Sequence, residues 1–358
     1  MIMKKIYLSE IPDGTPIAYD LYNDKNIILL NKGVKMSPVL REKLQRNNII
    51  FLTTQISPFE TLDDRIKYLD EEVIHEIEKV KKQYKEAFYQ ISREFEGFKD
   101  YSKLDKKTVT DIGRGLVNSI SNNQQVYASI QGIRRKDSYT YLHSIDVSIL
   151  MILFGKSMNL ASNEIEDIAI AGLLHDIGKT KIQDSILLKP EKLTADEEET
   201  MKNHTTYGYD ILKNQLGYKE IIARIAREHH EKINGKGYPD GKRGETIHIF
   251  SKMVTICDIY DAITSERVYK KAMLPHVAVE YLMSIAGTHI DMDLVRQFIH
   301  NIAIYPMGTK VLLNTGEEGI VIKNNKNFPL RPVVQIIDSQ KRRNLLSELT
   351  VLIKKVME

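Results

Sequence analysis

From residue 108 to residue 302 the sequence reads as one helical segment after another, which confines the middle of the chain to an all-helical domain. Ser162-Asn163-Glu164 opens a segment that ends at His175-Asp176, just before the breaker Gly178. Thr194 with Glu197 three residues on is a capping box. Tyr218–His230 sets Ile221, Ile222, Ile225 and Ala226 on one side, and Ile249–Ile263 is apolar enough for a central helix. Pro275 starts another near Leu274, and Asp291 one more. Breakers are scarce, with 10 prolines and 19 glycines in 358 residues, which favours a mainly α chain.

The flanks read differently. Residues 1–56 form a small mixed α/β unit with strand-like runs at Lys5–Leu8, Ile17–Tyr22, Ile27–Leu30 and Ile49–Thr53. Within it Ser37-Pro38 starts a helix that should stop near Asn47-Asn48. Residues 57–107 form a connecting segment, helical over 63–98. Its Val73, Ile77, Val80, Tyr84, Ala87 and Ile91 follow a heptad spacing. Two readings stand side by side: a seam that makes the chain a homodimer, or a face that docks on the rest of the chain. After Tyr305-Pro306, residues 303–358 are β-rich, with strands expected at Thr309–Leu313, Gly319–Lys323, Val333–Ile337 and Leu349–Ile353.

Composition removes several function classes. A hydrophobic fraction of 42% and a charged fraction of 28% exclude a disordered regulator and leave material for a sizeable core. A net charge of +3 is too small for a bulk nucleic-acid binder, so no nucleic acid polymer is expected as partner. The single cysteine, Cys257, excludes a disulfide framework and any cysteine-rich zinc site. No apolar run is long enough for a membrane span, and no signal-peptide core precedes Asp13-Gly14, so a cytoplasmic location is expected.

The chemistry gathers on histidine and aspartate. His175-Asp176, at the end of an apolar helix, places an imidazole and a carboxylate side by side; both suit Fe, Mn or Zn, and a carboxylate can bridge two ions. Lys179 follows one turn later, where its ammonium could reach a bound phosphate. His229-His230 ends another helix before the glycine-rich Asn234-Gly235-Lys236-Gly237-Tyr238-Pro239. His143, His204 and Asp258 lie on separate helices, and Asp258 sits among Val254, Ile256 and Ile259. A lone His143 or His204 is more often a capping or core-edge residue, and Gly-Tyr-Pro alone an ordinary turn. Together they form a dense nitrogen and oxygen ligand set with no sulfur competitor.

The run Leu174-His175-Asp176-Ile177-Gly178-Lys179 resembles the HD superfamily of metal-dependent phosphohydrolases, and is typical of its HD-GYP branch. His229-His230-Glu231 through Gly237-Tyr238-Pro239 looks like the motif that names the branch, and Asp258 through Lys270 resembles its late helix-and-loop signature. The similarity covers roughly residues 130–300. It implies a helical catalytic domain that hydrolyses cyclic di-GMP with two or three metal ions, often iron or manganese. Carried over by position, the metal ligands are His143, His175, Asp176, His204, His229, His230 and Asp258. Lys179, Gly237, Tyr238, Arg267 and Lys270 fall at substrate positions. Tyr139 stands where some relatives place a glutamate that helps hold a third ion, so two divalent ions are expected. Arg267-Val268-Tyr269 departs from the usual Arg-Pro-Tyr.

This ligand set suits hydrolysis of a dianionic cyclic dinucleotide to the linear dinucleotide and/or GMP. Two ions about 3.5–4 Å apart can share a hydroxide and polarise the phosphate. Asp176 is the expected bridge, with His143, His175 and Asp258 on one ion and His204, His229 and His230 on the other. Asp176 and Lys179 carry the catalysis, Lys179 as an unpaired ammonium aimed at a phosphoryl oxygen. Arg267 takes the second phosphate or a guanine edge. Glu231 and Asp261 orient ligand imidazoles or the loop. Two alternatives remain: a catalytically weak dinucleotide sensor or scaffold, and another HD-type nucleotide phosphohydrolase.

Overall fold

A computed structural model describes residues 2–8, 11, 13–14, 16–17, 20–23, 27–47, 49, 51–56, 69, 71–101, 103–120, 139–187, 189, 191–265, 273–301, 304–305, 307–325 and 328–357. The chain divides into two units, Met1–Thr61 and Leu62–Glu358.

In the first unit β1 (Ile2–Tyr7), β2 (Leu21–Tyr22), β3 (Ile28–Leu30) and β4 (Phe51–Ile56) form an antiparallel sheet in the order β1-β4-β2-β3. Helix α1 (Pro38–Arg46) begins where Ser37 Oγ accepts from the Leu40 amide at 3.2 Å, as Ser-Pro predicts. Leu8, Ile17, Leu21, Met36 and Leu52 make its small core.

The second unit is built on helices that are apolar all round and therefore buried. These are α4 (Tyr139–Ser157), α5 (Ser162–Leu174) and α10 (Ile249–Thr264). Around them lie α2 (Glu71–Tyr101), α3 (Lys106–Ile120), α6 (Asp184–Leu187), α7 (Ala195–Lys202), α8 (His204–Asp210), α9 (Glu220–Glu228), α11 (Pro275–Ile285) and α12 (Met292–Asn301). The Thr194–Glu197 capping box forms in both directions at the start of α7. Gly178 does more than end a helix: a Cβ there would sit 1.8 Å from the His204 carbonyl oxygen, so only glycine lets α8 close on the turn after α5.

Helix α2 decides between the two readings of its heptad. Ile77, Val80, Tyr84, Ala87 and Ile91 are all buried within the chain, joined by Phe88, Phe95 and Phe98. The apolar stripe is wider than a coiled-coil seam and is spent on intramolecular packing, with Tyr84 Oη donating to buried Asp146 of α4 at 2.7 Å. A homodimer through these side chains would require α2 to leave its own core, so the seam expectation is corrected to a docking face. The expected helical start at 63–68 lies outside the described residues.

The C-terminal part is a five-stranded antiparallel sheet in the order β8-β7-β6-β5-β9. Its strands are β5 (Lys310–Leu313), β6 (Glu318–Lys323), β7 (Val333–Ile336), β8 (Arg342–Asn344) and β9 (Ile353–Val356). The last strand falls after Leu349–Ile353, because residues 349–350 form a turn. Strand β8, Arg-Arg-Asn, carries no apolar alternation because it is an edge strand, where charge is favoured. Among the described residues no helix is long and apolar enough to cross a membrane.

Candidate active site

The three central helices each deliver a ligand-type side chain into the interior of the helical domain. His143 projects from the second turn of α4, His175 caps the C-terminus of α5, and Asp258 lies midway along α10. His204 begins α8, and His229 caps α9 with His230 directly after. All seven residues expected as ligands come together. Ligand atoms of His143, His175 and Asp258 lie within 4.8 Å of one another, as do those of His204, His229 and His230. Asp176 stands between the groups. Its Oδ2 is 3.5 Å from His175 Nε2 and 4.0 Å from His143 Nε2, and its Oδ1 is 3.5 Å from His204 Nε2 and 3.7 Å from His229 Nε2.

Outer hydrogen bonds aim the imidazoles. Nδ1 of His175, His204 and His229 donates to the carbonyl three residues earlier, of Gly172, Met201 and Ala226, at 2.7–2.8 Å. A carbonyl only accepts, so Nδ1 carries the proton and Nε2 turns its lone pair inward. His143 donates through Nδ1 to buried Asp261 at 2.7 Å, one of the two orienting roles expected. Glu231 takes the other: its carboxylate accepts from the amides of Asp240 at 2.7 Å and Lys242 at 2.9 Å and so clamps the glycine-rich loop.

Burial holds the pKa of His175, His204 and His229 below the ordinary value and that of His230 down at about 3. Burial opposes charge on Asp176 and Asp258 as well, but Lys179 and the neighbouring imidazoles keep Asp176 ionised, and the hydrogen bond from His143 does so for Asp258. Burial likewise disfavours a charged His143, yet its hydrogen bonds to Asp258 and Asp261 push it up to about 10. Neutral imidazoles and ionised carboxylates are the states a metal ion needs. His175 Nε2 and Asp176 Oδ1 are buried and find no hydrogen-bond partner among the described residues. Such orphans in a nitrogen and oxygen set fit a divalent cation, which would displace the proton that His143 Nε2 shares with Asp258 across 3.1 Å.

The rim holds one correction. Lys179 is not an unpaired ammonium: its Nζ lies 2.5 Å from Asp176 Oδ2, because the lysine one turn on is the nearest cation to that buried carboxylate. Tyr238 packs on His230, ring centroids 4.8 Å apart and 33° between planes, with the Lys202 ammonium 5.9 Å from its centroid. A Cβ at Gly237 would lie 2.3 Å from the Lys232 amide nitrogen, so glycine is what lets the loop fold back on His230-Glu231. Arg267 and Lys270 lie outside the described residues, as does the side chain of Tyr139. Sequence reasoning passed over Glu228, a fully buried carboxylate next to His229. Its signal was there: it continues the Ile222-Ile225 stripe by three residues, and Arg224 stands four residues before it.

Comparison with known proteins agrees with this geometry. Residues 122–294 match the HD domain, and residues 310–358 a KOW domain associated with HD domains. The cyclic di-GMP phosphodiesterase PA4108 of Pseudomonas aeruginosa is 33% identical over 240 residues, 67% of this chain and 58% of that protein. The cyclic di-GMP phosphodiesterase response regulator RpfG of Xanthomonas campestris is 41% identical over 140 residues, 39% of this chain and 37% of its own length. The 3'3'-cGAMP-specific phosphodiesterase 2 of Vibrio cholerae is 29% identical over 266 residues, 68% of this chain and 51% of that protein. The chain thus spans between about a third and three fifths of these relatives. The solved structure of Bd1817, described as an HDG"Y"P protein of Bdellovibrio bacteriovorus, shares the fold with a TM-score of 0.54. It is 17% identical and covers 83% of this chain and 98% of its own. With the His-Asp pair, the paired histidines and the Gly-Tyr-Pro loop around one buried centre, the chain belongs to the HD superfamily of metal-dependent phosphohydrolases, in its HD-GYP branch.

Proposed function

We propose that the chain hydrolyses the phosphodiester bonds of cyclic di-GMP, to the linear dinucleotide and/or GMP, with two divalent ions, iron or manganese. The observation that carries this is the pairing of two three-ligand groups about one carboxylate, Asp176. His143, His175 and Asp258 would hold one ion, His204, His229 and His230 the other, and Asp176 would face both. Bound there, the ions supply Lewis acidity toward the phosphate and a nucleophilic water at neutral pH. Every remaining role belongs to the chain. Asp261 and the three backbone carbonyls keep Nε2 inward, and the buried helices around them exclude bulk water. The Lys179 ammonium, paired with Asp176 at the rim, would supply a positive charge to a phosphoryl oxygen of the substrate. Tyr238 offers its ring to a base at the rim.

A second substrate, 3'3'-cGAMP, is favoured by the similarity to the Vibrio cholerae phosphodiesterase of that name. Product chromatography on each dinucleotide, with protein purified without oxygen and loaded with iron or manganese, tests both. Faster turnover of cyclic di-GMP supports the first, and faster turnover of 3'3'-cGAMP replaces it with the second. Binding without any product would leave a sensor.

A further inference from the structure

Four donors meet the buried carboxylate of Glu228. Arg224 Nε lies 2.7 Å and Lys242 Nζ 2.6 Å from Oε1, while Ser251 Oγ and the His248 amide lie 2.8 Å and 3.1 Å from Oε2. They arrive from three directions: its own helix, the return arm of the glycine-rich loop, and the first turn of α10, the helix that carries Asp258. One buried charge therefore joins the segment bearing His229 and His230 to the loop that presents Tyr238. A carboxylate taken out of water persists only with such compensation, here spread over four donors rather than one.

We propose that the Glu228–Lys242 pair is a positioning strut that sets the loop 232–243, and with it Tyr238, against the metal centre, so that it governs affinity for the cyclic dinucleotide rather than metal content. This rests on the phosphodiesterase reading above. The loop is closed at its base by the Asn234–Arg243 bridge and by the Gly244 amide donating to the Ile233 carbonyl at 3.1 Å. Its tip is set by the Tyr238 amide donating to the His230 carbonyl at 3.2 Å. Between base and tip, the return arm is fastened by the Arg227–Asp240 pair at 2.7 Å, by Glu231, and by Lys242 reaching under the loop to Glu228. Of these only Lys242 couples the arm to α10 as well, because Glu228 shares Ser251 and His248 with it. A wall held this way is formed before substrate arrives, and loosening it costs affinity first.

Lys242→Met tests the strut, since Glu228 keeps Arg224, Ser251 and the His248 amide as partners, with an unchanged far-UV circular dichroism spectrum as the check that the variant is folded. KM and the Kd for cyclic di-GMP should rise together by about tenfold, the size of one tether's loss, while kcat falls by less and metal content stays that of the wild type. Lys242→Arg should recover most of the affinity, and Glu228→Gln should shift KM in the same direction as Lys242→Met. An active wild type beside a Lys242→Met protein with unaltered KM and Kd overturns the strut. So does a variant that loses metal in proportion to activity. A wild type that neither binds nor hydrolyses cyclic dinucleotides overturns the phosphodiesterase reading itself, and the strut with it.

Discussion

The two halves of the centre are built from different materials. His143, His175 and Asp258 include a carboxylate, and a second one, Asp261, backs His143 from outside. His204, His229 and His230 are three imidazoles, and the outer nitrogens of His204 and His229 lean on neutral backbone carbonyls. The first group presents negative charge to a cation, while the second presents only lone pairs and borrows charge from Asp176 at 3.5 Å and 3.7 Å. The attraction of a dication for an ionised carboxylate in a buried site exceeds its attraction for a neutral imidazole of similar geometry. On the proposed two-ion reading the difference teaches that the two ions would not be held alike: the carboxylate half should bind first and release last.

Asp176→Ala removes what both halves share. Metal should fall below one ion per chain and hydrolysis by at least about a thousandfold, read by metal analysis and product chromatography. Retention of two ions would break the view that Asp176 joins the halves. Next come the single-half variants. Asp258→Asn should empty the carboxylate half, leave the remaining ion easily stripped by chelator, and cost about a hundredfold or more in rate. His204→Gln should leave one ion that resists the same chelator. Equal chelator sensitivity in the two variants would erase the asymmetry. The smallest effect belongs to Asp261→Asn, which touches no ion and only ceases to polarise His143. Metal affinity of that half should weaken by about ten- to a hundredfold, with the other half unaffected. A uniform weakening of both would show that Asp261 acts on the fold and not on one ligand.

Much of this was legible in the chain. His175-Asp176, His229-His230 and Asp258 stood out by their place in or at the ends of apolar helices, while His143 and His204 gained meaning only within the whole constellation and from the family resemblance. The helical domain followed from caps and breakers such as Thr194 and Pro275. Other features were hidden for identifiable reasons. A heptad tells that a helix face is apolar, not which surface covers it, so α2 read equally well as a dimer seam. Lys179 at three residues from Asp176 was compatible with a phosphate contact or a carboxylate contact, and only the distance decides. The stripe position of Glu228 hints at burial but not at what holds it, because its partners Lys242, His248 and Ser251 are 14 to 23 residues away. The tightness of Gly178 and Gly237 depends on segments that meet only in the folded chain.

The central claim is that one buried carboxylate joins two unequal ligand groups, each holding one ion. It is tested most directly by counting metal per chain during a stepwise chelator titration of protein purified without oxygen. The account predicts two ions at the start, a plateau at one as the histidine half empties, and loss of hydrolysis on reaching that plateau. A start at one or three ions, or a single concerted loss with no plateau, would contradict it.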